Sequence, residues 1–112
     1  MHTTSREPVS IDLPSNTARR YEVAMTVLAN GWARVTYRKA DGSVHVTRLA
    51  TRNPTLIDTF GDRWSLEAVQ KSDEPWGDQV IYWDHAKGGI RSFRIDELIS
   101  MHIPGDCPEV NH

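Results

Sequence analysis

The chain has 112 residues, a formal net charge of −2 and 25% charged residues, which suits one domain of ordinary soluble composition and leaves no room for two. The lone Cys107 excludes an intramolecular disulfide, and a domain of this length can bury roughly two thirds of its unfolded surface without one. No apolar run approaches the ~20 residues of a bilayer span, and residues 1–14 lack a signal-peptide core, so the expected location is the cytoplasm.

Residues 1–14, polar with Pro8 and Pro14, read as a flexible arm. Residues 15–30 read as a helix capped by Ser15 or Asn16 and ended by a left-handed Gly31, with Tyr21, Met25 and Leu28 on one face and Ala24 beside them. From Trp32 the period drops to two. Ala33, Val35 and Tyr37 alternate with Arg34, Thr36 and Arg38; Asp41-Gly42 turns the chain; Val44 and Val46 return it, which predicts a β-hairpin over 32–49. Arg52-Asn53-Pro54 breaks the run. Residues 55–59 read as a short extended piece and Gly61-Asp62 as a turn. Residues 63–70 read as a strand, with Trp64, Leu66 and Ala68 inward and Arg63, Ser65 and Glu67 outward. A polar loop over 71–78 leads to a strand over 79–84. Residues 85–89 turn, and 90–95 form another strand with Phe93 and Ile95 inward. A single helical turn over 96–98, a last strand over 99–103 and a tail over 104–112 complete the chain. One helix and five or six short antiparallel strands predict a small, highly curved, mainly β domain over 15–103, with a barrel over 32–103.

Charge is uneven. Residues 1–52 carry eight Lys and Arg against four Asp and Glu, and residues 53–112 carry five against eleven. The first half could therefore offer a basic face to an anion, or the halves could pair across one surface. Ten of the thirteen cations are Arg, which favours forked contacts to planar anions.

Residues 35–99 resemble a WYL domain, an Sm-like small β-barrel. The segments that carry the resemblance are Val35-Thr36-Tyr37-Arg38 with Asp41-Gly42, then Arg48-Leu49, Asn53-Pro54-Thr55-Leu56, Trp64-Ser65-Leu66 and Ile90-Arg91-Ser92-Phe93-Arg94-Ile95-Asp96-Glu97-Leu98. The last looks like the closing arginine-phenylalanine-arginine strand of that family. Trp64-Ser65-Leu66 lies where the namesake Trp-Tyr-Leu is expected, with Ser65 in place of the tyrosine. Such domains usually accompany a DNA-binding helix-turn-helix, which the single helix over 15–30 cannot supply. The resemblance implies an arginine-bearing ligand surface made by Arg48, Ser65, Arg91 and Arg94, with Arg52, loosely aligned near Pro54, as a further candidate. A tyrosine at position 65 could stack on a base, an interaction worth about 1–3 kcal/mol; serine keeps only the hydroxyl. Arg91 shares parity with Phe93 and could instead pair with a carboxylate such as Asp84 or Asp96.

Two functions follow as expectations. The first is a small regulatory or accessory module that senses a nucleotide or single-stranded nucleic acid. The second is a protein-interaction domain of the kind phages and mobile elements encode, in which exposed Trp76 anchors a partner protein; an open edge strand could also make a homodimer. Catalysis is not expected: Ser65 and Ser92 lack an elbow motif and no acid, base and nucleophile converge. No cofactor is implied, and His85, His102, Cys107 and His112 match no zinc spacing.

Overall fold

Asn16 starts the first helix as its side chain accepts from the Arg19 amide at 3.1 Å, and α1 runs Thr17–Asn30. Gly31 ends it in an extended conformation (φ 161°), not the left-handed one expected. The computed structural model describes residues 8–72 and 78–108, so Trp76 lies outside the described residues. Among those described, no helix is long and apolar enough to cross a membrane.

Among the described residues, six antiparallel strands form one sheet: β1 (Val9–Ser10), β2 (Ala33–Arg38), β3 (Val44–Thr51), β4 (Gln79–Asp84), β5 (Gly89–Arg94) and β6 (Leu98–Ile103), in the spatial order β1-β6-β2-β3-β4-β5. The predicted hairpin over 32–49 is present. Gly42 (φ +88°) supplies the left-handed residue of its tip, and the Asp41 carboxylate accepts from both the amide and the hydroxyl of Ser43. A 3-10 turn, Ile95–Glu97, joins β5 to β6, close to the predicted helical turn over 96–98. The arm is docked from Val9 onward: Val9 and Ser10 pair with Ile103 and His102, and the Ile11 amide donates to the Met101 carbonyl at 3.0 Å.

The sheet curls without closing. β4 meets β3 only at Ala50↔Asp84 and Thr51↔Trp83, and then swings away with β5. The curl brings Tyr37 of β2 against Phe93 of β5, with ring centroids 5.0 Å apart. A closed barrel with one helix was expected; the described residues form an open, Sm-like curled sheet and three α-helices. Among the described residues β5 forms one edge of the sheet and two-residue β1 the other.

The two added helices lie between β3 and β4. Pro54–Phe60 is α2, not an extended piece. Asn53 caps it by accepting from the Leu56 amide at 3.1 Å, and Pro54 occupies its first turn, where no amide donor is needed. Arg63–Lys71 is α3, not a strand, capped by Asp62, which accepts from the Ser65 amide at 2.8 Å. The helical turn reverses the predicted faces: Trp64 is 67% exposed, whereas Ser65 is 1% exposed. The period is 3.6, not two, since Ser65 and Val69 at i, i+4 point inward together.

The sheet separates two cores. Val35, Tyr37, Val80, Tyr82, Phe93 and Met101 pack with Ala24 and Leu28 of α1. Trp32 and Trp83 pack with Leu56 and Ile57 of α2 and Val69 of α3. β4 serves both by alternation, with Val80 and Tyr82 on one side and Ile81 and Trp83 on the other.

Candidate ligand-binding site

Two cationic recesses form on the sheet. The larger is a groove of about 880 Å³ between the β2–β3 hairpin tip, β5 and the 3-10 turn. Its lining includes Arg38, Lys39, Lys87, Arg91 and Arg94, against Asp96 and Glu97. Tyr37 and Phe93 reach it from the core as an apolar floor. Three of the arginines are tethered. Arg91 Nε donates to Asp84 Oδ2 at 2.7 Å, Arg94 Nη2 to Asp78 Oδ2 at 3.1 Å, and Arg38 Nε lies 3.9 Å from Glu97 Oε2. The Asp84 bond also holds the Arg91 guanidinium above its ordinary pKa.

Asp84 is itself fixed by the turn after β4. Its Oδ1 accepts from the amides of Ala86 and Lys87 at 3.0 and 3.2 Å, so the carboxylate that orients Arg91 has little freedom to move. Beneath the groove runs a chain of hydroxyls. Tyr37 and Tyr82 meet at 3.0 Å, Tyr82 and Thr47 at 2.7 Å, and Thr47 meets His45 Nε2 at 3.1 Å. Burial pushes the Tyr82 phenol far above its usual pKa, so it stays a neutral donor. Burial, and then the charges of Arg91 and Lys39, hold the His45 imidazole below its ordinary value.

The second recess, about 280 Å³, is lined by Arg34, Arg48, Leu49 and His102, with Pro8, Pro104, Gly105 and Asp106 around it. A β-bulge builds it. Between the pairs Ala33↔Ala50 and Val35↔Thr47, the single residue Arg34 of β2 opposes both Arg48 and Leu49 of β3. Arg34 also pairs with His102 of β6.

The five residues expected to bind ligand therefore separate. Arg91 and Arg94 share the groove, and Arg48 lies in the second recess. Ser65 is inside, its hydroxyl donating to Asp62 Oδ2 at 3.2 Å. Arg52 is 6% exposed, and its guanidinium donates to the carbonyls of Val69 and Ile81 and to the Ser72 hydroxyl, tying α3 to β4. Arg34, Lys39, Lys87 and His102 were missed. Alternation along β2 does put Arg34 on the outward face with Arg38, but the bulge that sets Arg48 beside it has no glycine or proline to announce it. Among the described residues no three His, Cys, Asp or Glu side chains gather as a metal site.

β4, carrying Tyr82 and Trp83, pairs along its whole length with the closing strand β5. No curated protein and no solved structure matches the chain. A family model described as "WYL_2, Sm-like SH3 beta-barrel fold" matches residues 22–99. That span runs from α1 through the curled sheet to the start of β6, and the chain belongs to this family.

Proposed function

We propose that this protein is a regulatory binding module, acting in the cytoplasm, that senses an anionic ligand, a nucleotide or single-stranded nucleic acid, in the groove beside β5. Family membership suggests a regulatory ligand-binding role for the domain. The observation that carries the ligand class is that Arg91 and Arg94 of the closing strand open on the same groove as Lys39 and Lys87. The Arg94–Asp78 pair is exposed on both sides, and such pairs are worth about 0–1 kcal/mol, so a ligand phosphate can take Asp78's place at small cost. Arg91, held by Asp84, serves as a fixed positive reference for the ligand.

Fluorescence anisotropy with a labelled oligothymidylate and with labelled nucleotides, at two salt concentrations, tests this reading. The parent binds more weakly as salt rises, and Arg94→Ala and Lys39→Ala each weaken binding about tenfold and flatten the salt dependence. Binding by none of the probes overturns the ligand class; full binding by both variants overturns the site.

A protein partner is the second reading. It is favoured by Trp64, which stands exposed on α3, and by β5, which ends the sheet with no further strand beside it among the described residues. A partner protein, or a second copy making a homodimer, would add a strand there. Nuclease-treated pull-downs and light scattering separate this from nucleic-acid binding: a partner that survives nuclease and is lost on Trp64→Ala supports it, and loss of all partners with nuclease refutes it.

A further inference from the structure

We infer that the recess lined by Arg34, Arg48 and His102 is a second anion site, separate from the groove, that takes a phosphoryl group. The bulge sets Arg34 opposite Arg48 on adjacent strands, and both side chains line one recess. Among the described residues, neither Arg34 nor Arg48 has a hydrogen-bond or ion-pair partner. The three arginines that line the groove are each tethered to a carboxylate, whereas these two are not. Arg34 is half-buried, where water screens its repulsion from Arg48 less than at an open surface. Two unpaired cations lining one recess favour an anion between them.

His102 points the same way. It lines the recess with both arginines and pairs with Arg34 between β2 and β6, so it adds a ring nitrogen donor to the cationic wall. Asp106, exposed on the rim, makes no ion pair with either arginine.

The chemistry selects among anions. Two forked guanidiniums can give several parallel N–H donors to a tetrahedral oxyanion and match its two negative charges, whereas one carboxylate would neutralise only one of them. The volume of about 280 Å³ lies just below the ~300–1,000 Å³ of pockets that enclose a whole drug-sized ligand. The recess therefore suits a phosphate or the terminal phosphate of a larger molecule, with the remainder outside.

The test is an NMR titration of the full chain with inorganic pyrophosphate, AMP and adenosine, following the Arg side-chain Nε–H and His ring signals. Saturable shifts at Arg34, Arg48 and His102 with pyrophosphate and AMP, and none with adenosine, are expected. Arg48→Ala, at an exposed position, should weaken binding about 10–100-fold. Arg48→Lys should recover only part of this, and the charge-matched Arg19→Ala should bind as the parent does. Arg34→Ala should match Arg48→Ala provided its amide spectrum remains that of the folded parent. If it does not, the parent's own shifts and the Arg48 variants decide. Shifts that never saturate, equal affinity in Arg48→Ala, or adenosine binding as tightly as AMP each overturn the assignment. AMP shifts confined to Arg91 and Arg94 overturn it too while leaving the groove reading intact; pyrophosphate shifts confined to Arg34 and Arg48 do the reverse.

Discussion

Arg91 reaches back across the β4–β5 turn to Asp84, with Nε 2.7 Å from Oδ2. Asp84 is 4% exposed and its carboxylate also accepts from two turn amides, so one buried group both shapes the turn and orients the arginine. Removing either partner leaves the other poorly compensated. Because the Arg91 side chain is about a third exposed, the cost falls below that of a fully buried pair. Asp84→Ala should lower unfolding free energy by about 2–3 kcal/mol and Arg91→Ala by about 1–2, read from urea denaturation with an unchanged slope. Asp84→Asn, which can still accept from the amides, should fall between Asp84→Ala and the parent.

Trp64 and Ser65 are adjacent in sequence and opposite in environment. Trp64→Ala should change stability by less than about 0.5–1 kcal/mol, since an exposed side chain loses little packing. Ser65→Tyr, which restores the residue the family resemblance led one to expect, should cost about 1–3 kcal/mol or more by forcing a ring into a filled space under α3. Thermal melts of the two variants check the contrast. A strand at 63–70 would give the opposite order.

That pair also shows what the sequence could and could not reveal. The hairpin over 32–49 was legible because period-two alternation and Asp41-Gly42 agree. The closing strand was legible because Phe93 and Ile95 alternate with Arg94. The helices over 54–71 were not, although Asn53-Pro54 and Asp62 are ordinary helix starts. Trp64, Leu66 and Ala68 happen to alternate, and over seven residues a helix and a strand differ mainly in where Val69 falls. The groove was half legible: Arg91 and Arg94 could be read from one strand, but Lys39 and Lys87 reach it from two different turns that only the curl of the sheet brings together.

Gly61 supplies a test of packing independent of charge. A Cβ at this position would lie 2.9 Å from the Trp83 indole and from the Ile57 carbonyl. Gly61 has φ −112°, outside the left-handed region, and the contact with the indole is the obstacle to a side chain. Gly61→Ala should therefore destabilise by about 1–3 kcal/mol and shift tryptophan emission as Trp83 is displaced. An Ala variant as stable as the parent would mean that the indole has room to move.

His45 gives stability a pH dependence of defined sign. Its folded pKa lies below the ordinary 6.5, first through burial and then through Arg91 and Lys39, with Asp84 opposing. The unfolded chain therefore takes up the proton more readily. His45's contribution to stability is fully present above about pH 6.5 and is lost as pH falls through the folded value. Urea midpoints should decline between pH 7 and pH 5, and the decline should be shallower in His45→Gln. An equal decline in both would assign it to other groups.

The division of the interior into two cores has a kinetic corollary. α2 and α3 are contiguous in the chain, and their buried apolar residues Leu56, Ile57 and Val69 belong to the core built on Trp32 and Trp83, whereas the hydroxyl chain of Tyr37 and Tyr82 belongs to the other. A segment so organised can open as one cooperative unit while α1 and the curled sheet stay shut. Amide hydrogen exchange should then show residues 54–71 exchanging together, faster than β2 and β4, so that the domain breathes on the side of the sheet away from α1.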